Sequence, residues 1–118
     1  MAGEVGFFEL GVADADKAKA FYGELFGWAF APGPGQGYSI STPSVPGGVH
    51  GGDPRARPYL FFVVDDMDEA LGKVRQLGGT VDESQVEGDK SSQATYGRFV
   101  LCKDDQGSEF GLHQRPSG

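Results

Sequence analysis

The sequence predicts an α+β protein built from two similar halves, each containing one helix and several strands. Three observations predict this class: a repeat at an offset of 52 residues, an apolar stripe at helical spacing in each copy, and extended segments on both sides of each helix. The 118 residues are the size of one ordinary domain, which buries about two thirds of the surface that its unfolded chain exposes. We therefore expect a single domain over residues 1–118, with halves at about 5–52 and 57–116.

The repeat relates residues 12–27 to residues 64–79. Such spacing is typical of one supersecondary unit used twice, where neither copy buries its apolar face alone. Chance similarity between two amphipathic helices is the alternative, because the signals that start a helix recur for physical reasons. The identical pairs are Val12 and Val64, Asp14 and Asp66, Asp16 and Asp68, Ala18 and Ala70, Leu25 and Leu77, and Gly27 and Gly79.

Each copy contains a helix with a recognisable start, face and end. Asp14 and Asp66 stand where a side-chain oxygen can accept hydrogen bonds from the free amides of a first turn, and Glu69 follows Asp66 at capping-box spacing. Gly27 and the pair Gly78-Gly79 can adopt the left-handed conformation that ends a helix. The apolar stripes are Ala18, Phe21, Tyr22, Leu25 and Phe26 in the first helix and Met67, Ala70, Leu71, Val74 and Leu77 in the second.

Extended segments precede and follow both helices. The run 60–64 is apolar without alternation, so we expect that strand to be buried on both faces. Residues 31–58 contain seven glycines and six prolines, so the strands there are short, and the glycine-rich stretch 33–37 is predicted to be a flexible turn. The polar stretch 82–94 is predicted to be a mobile loop. The predicted strands cover residues 7–12, 38–41, about 48–51, 59–64, 80–86, 98–103 and 108–114.

Composition limits the classes of partner. The formal net charge is −7, from 17 acidic and 10 basic residues, and such a field repels a phosphate backbone, so nucleic acid is not an expected partner. The single cysteine, Cys102, cannot pair within the chain and lies in an apolar run, so it is expected to be buried and inert. No run approaches the length of a membrane span. A cytoplasmic protein without a membrane partner is therefore expected.

Three segments carry a resemblance to a known superfamily. They are FFELGVADADKAKAFYGELFGW near the start, YLFFVVDDMDEALGKVRQLGG in the middle and KDDQGSEFGLHQ near the end, and together they span the chain from residue 7 to residue 114. On these segments the chain resembles the vicinal oxygen chelate superfamily, which includes glyoxalase I, extradiol dioxygenases, fosfomycin-resistance proteins and bleomycin-binding proteins. The resemblance implies two βαβββ modules that form a curved mixed sheet around a cavity. A ferredoxin-like α/β sandwich is the structural alternative.

The metal site of the superfamily is not matched by this sequence. In metal-dependent members, the resemblance implies a histidine on the first strand, a histidine or carboxylate on the corresponding strand of the second half, and a glutamate on the last strand. The matching positions here are Phe7, Tyr59 and Gly111, which offer no good ligand. We therefore expect no metal and no other cofactor. A rearranged divalent-metal site built from Glu9, His50 and His113 is the alternative, because imidazoles and carboxylates are common ligands of zinc and iron.

The resemblance assigns one face of each of three predicted strands, 7–12, 59–64 and 108–114, to the cavity. Strand alternation places a set of candidate side chains on each of these faces. The aromatic members could contact a flat or apolar ligand, and Glu9 could accept a hydrogen bond from a donor or a cation. The alternative to ligand binding is that these aromatic residues fill the core. The candidate ligand-binding residues are Phe7, Glu9, His50, Tyr59, Phe61, Glu109 and His113.

Three functions are compatible with this pattern. The first is a metal-free protein that binds a small organic molecule in the cavity between the modules, for sequestration or resistance, and the resemblance implies that such a protein is a homodimer. The second is an enzyme, a glyoxalase-like lyase, an isomerase or a dioxygenase with a rearranged metal site. The third is a structural or regulatory partner with a vestigial cavity. The sequence identifies no catalytic residue.

Overall fold

The computed structural model describes residues 3–33, 37–54, 57–86 and 90–116. Helices and strands alternate along these residues, and the predicted α+β class is confirmed. The chain divides into two compact units. The first unit comprises Phe7–Leu60, and the second comprises the chain from Phe61 onward together with the residues before Phe7.

The first unit contains one helix and a mixed set of strands. In chain order it has strand β1, helix α1 and strands β2, β3 and β4, which is the predicted βαβββ order, although the short strand β2 is not among the individually predicted ranges. Strand β1 pairs with β4 in parallel, whereas β3 pairs with both β2 and β4 antiparallel. The bounds are β1 Val5–Gly11, α1 Ala15–Phe26, β2 Ala29–Pro32, β3 Tyr38–Ser41 and β4 Gly47–His50.

The second unit repeats this pairing scheme. Strand β5 crosses the boundary between the units, with Pro58–Leu60 in the first and Phe61–Val63 in the second. Its second part pairs with the last strand β8 in parallel, and β7 pairs with both β6 and β8 antiparallel. The prediction of two βαβββ units with mixed strand pairing is thus confirmed. The bounds are β5 Pro58–Val63, α2 Met67–Gln76, β6 Thr80–Val81, a 3-10 helix Glu83–Gln85, α3 Lys90–Tyr96, β7 Arg98–Lys103 and β8 Glu109–Gln114.

Both predicted helix starts and helix ends are confirmed. The Asp14 carboxylate accepts hydrogen bonds from the backbone N–H groups of Asp16 and Lys17 at 3.0 and 3.2 Å. Asp66 accepts from the backbone N–H of Glu69 at 3.2 Å. After α1, Gly27 has a φ of 74°, in the left-handed region where glycine carries no Cβ penalty.

Each unit has its own apolar core. The buried core of the first unit is made of Ala18, Ile40 and Val49. The buried core of the second unit is larger and is made of Met67, Leu71, Val100, Cys102 and Leu112. Among the residues that the structure describes, no helix is both long and apolar enough to cross a membrane.

The apolar stripe of α1 is only partly covered within the described residues. Ala18 is buried, but Phe21 is 61% exposed, and Leu25 and Phe26 are exposed as well. The reason is that the helix rests on the sheet through its small residues, Ala15 and Ala18. Helical spacing identifies an apolar face, but what covers that face depends on the neighbouring elements.

Two expectations about the second unit are wrong. Strand β5 is not buried on both faces, because its residues alternate and Leu60 is 49% exposed. The described residues of the stretch 82–94 are not a loop, because they contain the 3-10 helix and most of α3, while residues 87–89 lie outside the described residues. The strand expected over 80–86 ends at Val81. Asp82 starts the 3-10 helix by accepting from the backbone N–H of Ser84 at 3.1 Å, while Gly97, with a φ of 87°, follows the end of α3. Local capping therefore overrides the polar composition of this stretch.

Candidate functional site

Glu9 and His50 meet on neighbouring strands of the first unit. In the parallel pairing of β1 with β4, Glu9 lies opposite Gly48 and Gly11 lies opposite His50. The Oε2 atom of Glu9 and the Nδ1 atom of His50 are 2.6 Å apart. The Glu9 side chain is mostly buried, whereas that of His50 is 43% exposed. The pair therefore joins a half-buried carboxylate to an imidazole that solvent or a ligand can reach.

Asp53 and Tyr59 extend this pair inward. The Oδ2 atom of Asp53 lies 3.0 Å from His50 Nε2, and the Tyr59 hydroxyl donates to the same oxygen at 2.7 Å. Asp53 is only 8% exposed, and Tyr59 is buried. We call Glu9, His50, Asp53 and Tyr59 the polar cluster. A carboxylate as buried as Asp53 needs such donors, because an uncompensated buried charge costs several kcal/mol, about 3–5 when one partner of a pair is removed.

The backbone around Asp53 is held by hydrogen bonds to the start of the unit. The N–H of Gly52 donates to the carbonyl of Ala13, and the N–H of Asp53 donates to the carbonyl of Val12, both at 3.0 Å. Gly11 leaves room for the carboxylate, because a Cβ at that position would lie 2.1 Å from Asp53 Oδ2. Gly48 does the same for Glu9, with a Cβ position 2.6 Å from Oε1. Two glycines on facing strands thus form the surface against which the two carboxylates lie.

The surroundings shift the titration of both Glu9 and His50. Burial raises the pKa of Glu9 above its ordinary value, although the hydrogen bond and charge of His50 oppose the rise. Burial lowers the pKa of His50, but its hydrogen bonds to Glu9 and Asp53 and their charges outweigh burial, so the net pKa is raised. Both directions favour the same outcome, which is a proton held between Glu9 and His50.

The two contacts of His50 also limit its protonation state. A neutral imidazole carries one N–H and can donate to only one acceptor. Here both ring nitrogens face a carboxylate oxygen. Both contacts can be hydrogen bonds only if the ring is an imidazolium or if one carboxyl group is protonated. The cluster of two carboxylates and one imidazole therefore holds one more proton than two free carboxylates and a neutral ring.

The described residues do not fit a metal centre in this arrangement. A metal-ligating imidazole needs a free lone pair, and both nitrogens of His50 are already engaged by carboxylates. Within the described ranges, no group of three or more histidine, cysteine, aspartate or glutamate side chains is placed to hold a metal ion. His113, the third residue of the alternative metal set, lies in the second unit with its Nε2 atom 2.9 Å from the carbonyl oxygen of Tyr96.

The second unit has the same backbone arrangement with different side chains. Phe61 lies opposite Gly111, and a Cβ at Gly111 would meet the Phe61 ring at 2.2 Å, so Phe61 occupies the seat that Glu9 occupies over Gly48. His113 corresponds in the same way to His50, since it pairs with Val63 as His50 pairs with Gly11. At these corresponding positions, the first unit has a carboxylate and a partly exposed imidazole, whereas the second unit has an aromatic ring and a buried imidazole.

His113 is in a different chemical environment from His50. Its ring stacks on Phe99 with centroids 4.0 Å apart and an interplanar angle of 7°. Burial lowers its pKa, which the hydrogen bond to the Tyr96 carbonyl only partly offsets. The neutral ring is therefore favoured, and His113 serves the packing of the second unit.

The remaining predicted site residues are divided between the units. Phe7 lies on the same face of β1 as Glu9, and the Cβ position of Gly48 is 3.4 Å from its ring. Glu109 begins β8 in the second unit, opposite Lys103, and is partly buried. The structure thus brings Phe7, Glu9, His50 and Tyr59 together in the first unit. It places Phe61, Glu109 and His113 in the second.

A cleft of about 700 Å³ opens beside the polar cluster in the first unit. Its walls are the first turn of α1, the end of β2, the start of β3 and the segment after β4. The Tyr38 hydroxyl donates to the Asp16 carboxylate at its rim. Its lining residues are Ala13, Asp14, Ala15, Asp16, Pro32, Gly37, Tyr38, His50, Gly51 and Gly52. His50 therefore belongs both to the polar cluster and to the wall of an open cleft.

Cys102 and Arg98 have structural surroundings, and part of the predicted glycine-rich turn lies outside the described residues. Cys102 is buried, as predicted, and burial raises the pKa of its thiol to about 11. Arg98 donates to the Asp68 carboxylate at 3.2 Å and to the Val86 carbonyl at 2.8 Å. Residues 34–36 of the predicted flexible turn lie outside the described residues.

Comparison with known proteins supports the resemblance. Residues 5–40 match the family described as bleomycin resistance protein-like N-terminal. No curated protein matches the sequence significantly. The whole chain is similar in structure to several solved proteins, and with the matched segment this similarity confirms the predicted resemblance to the vicinal oxygen chelate superfamily, whose fold the chain has.

Three of these solved structures show the breadth of the fold. Methylmalonyl-CoA epimerase from Mycobacterium tuberculosis has 16% identity and a TM-score of 0.68, over 98% of this chain and 89% of that one. A catechol 2,3-dioxygenase has 13% identity and a TM-score of 0.63, over 98% of this chain and 42% of the dioxygenase. A glyoxalase/bleomycin resistance protein/dioxygenase superfamily member from Vibrio splendidus 12B01 has 11% identity and a TM-score of 0.57, over 92% and 96%. At these identities the likeness establishes the fold alone.

Proposed function

We propose that this protein binds a small organic molecule without a metal, in the manner of a sequestration or resistance protein of the glyoxalase/bleomycin resistance type. The observation that carries the proposal is the polar cluster, in which a half-exposed imidazole is held between two carboxylates at the edge of an open cleft. Pockets for small molecules commonly combine aromatic walls with a few well-placed polar groups. His50 of the polar cluster supplies a polar group to this cleft, and the Tyr38 ring supplies aromatic surface.

The cluster also favours a class of ligand. The Oε2 atom of Glu9 is engaged by His50, whereas the second oxygen, Oε1, makes no hydrogen bond with another described residue. That oxygen can accept a hydrogen bond from a ligand. We therefore propose a ligand that presents a hydroxyl, an amine or another N–H donor to Glu9, and whose flat or apolar part contacts the neighbouring rings.

Isothermal titration calorimetry tests this proposal directly. Metal-free bleomycin and methylmalonyl-CoA are suitable first probes, because the matched family and one of the similar structures carry those names. A panel of small aromatic amines extends the search. We expect at least one probe to bind wild type and to bind Glu9→Gln at least about tenfold more weakly, which corresponds to the ~1.4 kcal/mol of one charge-assisted hydrogen bond.

A matched control separates the site from the overall charge. Glu24 is exposed on α1 of the same unit, so Glu24→Gln removes the same charge at a distance from the cluster. This variant should bind like wild type. Equal heats for wild type and Glu9→Gln would remove Glu9 from the site, and the absence of binding by every probe at millimolar concentration would count against small-molecule binding.

A metal-dependent lyase, isomerase or dioxygenase is the second candidate. The observation in its favour is that a carboxylate and an imidazole already lie side by side in Glu9 and His50. Elemental analysis of protein purified without chelators distinguishes the two candidates. A stoichiometric divalent ion that is lost in both Glu9→Gln and His50→Gln would support the enzyme and overturn the metal-free proposal.

We also propose that the protein is a homodimer located in the cytoplasm. The support for the dimer is the resemblance to the superfamily. Light scattering on the eluate of a size-exclusion column, at two protein concentrations, measures the mass directly. A mass of 12.5 kDa at both concentrations would show a monomer and would refute the dimer.

A further inference from the structure

We propose that Asp53 is the positioning residue of this site: its buried carboxylate faces Nε2 and orients the ring of His50, so that His50 holds one oxygen of Glu9 and leaves the second for a ligand. This inference deepens the proposed function and rests on it. Asp53 is not among the residues that the sequence marks as a candidate, and it does not line the cleft. It acts on the ligand through His50.

Contacts of both its side chain and its backbone hold Asp53 in place. Its Oδ2 atom contacts both His50 Nε2, at 3.0 Å, and the Tyr59 hydroxyl, at 2.7 Å. Its backbone N–H is bonded to the Val12 carbonyl, and the absence of a side chain at Gly11 provides the space that the carboxylate fills. The carboxylate therefore cannot turn away from His50 without also losing its hydrogen bond with Tyr59.

Among the described residues, two carboxylates and one aromatic ring face His50, each from a different segment of the unit. Glu9 faces it from β1, Asp53 from the segment after β4, and the Tyr59 ring from β5, with centroids 6.2 Å apart and an interplanar angle of 15°. The Arg57 guanidinium lies 5.7 Å from the centre of the Tyr59 ring. Without Asp53, His50 would pair with Glu9 alone, and its Nε2 atom would have no acceptor among these groups.

The second unit provides an internal comparison. His113 occupies the position that corresponds to His50, but the acceptor of its Nε2 atom is the neutral carbonyl of Tyr96 instead of a carboxylate. Burial leaves His113 with a lowered pKa, while His50 has a raised one. A carboxylate at the Nε2 side thus coincides with a raised pKa in one unit, and a carbonyl at that side coincides with a lowered pKa in the other.

Nuclear magnetic resonance of the imidazole nitrogens tests the inference without any ligand. The chain has only two histidines, so the spectrum of protein labelled with ¹⁵N contains two ring systems. In wild type we expect His50 to show two imidazolium-like nitrogens at neutral pH and to titrate at a higher pH than His113. In Asp53→Asn the titration midpoint of His50 should fall, while that of His113 should stay unchanged. Asp53→Glu should restore part of the difference.

Two controls separate positioning from a merely structural role. Glu24→Gln removes one negative charge from the same unit and should leave both midpoints unchanged. If Asp53→Asn does not fold, the wild-type titration alone still decides the question, because a His50 midpoint at or below that of His113 would overturn the inference. A folded Asp53→Asn with an unchanged His50 midpoint would overturn it as well.

The result is independent of the search for a ligand. If calorimetry finds no ligand but His50 titrates as expected, the proposed function fails and the role of Asp53 in holding His50 stands. If a ligand binds through Glu9 but His50 is neutral, the proposed function stands and the inference fails. With a bound probe in hand, Asp53→Asn should weaken binding at least about fivefold while Asp53→Glu weakens it less.

Discussion

Gly11→Ala should be a strongly destabilising substitution although it adds only one methyl group. The new Cβ would lie 2.1 Å from Asp53 Oδ2, 2.8 Å from Asp53 Cγ and 3.1 Å from a ring atom of Tyr59. Ordinary van der Waals contact begins at 3.4 Å, so the carboxylate would have to move by more than 1 Å. A displacement of that size breaks its hydrogen bonds to Tyr59 and His50, which are now 2.7 and 3.0 Å long.

The magnitude follows from these two effects. Overpacking of a tight site costs about 1–3 kcal/mol, and the loss of a hydrogen bond to a buried charged group costs about 1.5–3 kcal/mol. Since part of the strain is relieved when the carboxylate moves, we expect a total of about 3 kcal/mol. For a chain of 118 residues this corresponds to a fall in Tm of roughly 10 °C.

Urea unfolding, followed by circular dichroism, measures the change. Gly72→Ala is the matched control, because Gly72 lies in α2 with nothing within 4 Å of its Cβ position, so the same chemical change should raise stability by about 0.5–1 kcal/mol. The His50 titration midpoint should also fall in Gly11→Ala. A variant whose free energy of unfolding lies within about 0.5 kcal/mol of that of wild type would show that the polar cluster tolerates a methyl group at position 11.

Three further outcomes are expected. Leu71→Ala should lower the free energy of unfolding by about 2–5 kcal/mol, because Leu71 is only 2% exposed, whereas Leu77→Ala, at an exposed position, should change it by less than about 0.5 kcal/mol in the same urea assay. The Cys102 thiol should resist iodoacetamide in the native protein and react once the chain is unfolded, as mass spectrometry would show; rapid native labelling would contradict its burial and its pKa of about 11. Because the folded pKa of His50 lies above its ordinary 6.5, its pairing should stabilise the protein fully below about pH 6.5 and less as the pH rises through the folded pKa. The difference in unfolding free energy between wild type and His50→Gln should therefore become smaller toward alkaline pH. A difference that becomes larger would contradict a raised pKa of His50 in the folded protein.

The structure confirms the predicted helix starts and ends, which rest on strong local signals. Asp14 and Asp66 start their helices and Gly27 ends one, because capping depends on residues within a single turn. The wrong prediction of a loop over 82–94 also came from a local signal, the polar composition of that stretch. Asp82 caps the 3-10 helix in that stretch and Gly97 follows the end of α3, so most of its described residues are in short helices.

The candidate site was only partly visible in the sequence. Alternation places Glu9 on the face of β1 that meets β4, and the resemblance marks Tyr59 on the repeat-related strand. Asp53 was missed because no alternation or repeat marks it. The only signal is its place three residues after His50, beyond two glycines that allow the chain to turn back. That spacing is too common to identify a buried carboxylate.

The sequence by itself determined the class of the protein, the order of its elements and the repeat of one unit in the other. These properties follow from period, capping and glycine placement, which act over a few residues each. The tertiary structure decided which side chains meet, since Glu9 and His50 are 41 residues apart in the chain and come together only through the register of β1 against β4. It also decided that two corresponding histidines differ, because the charge of an imidazole depends on whether a carboxylate or a carbonyl faces it.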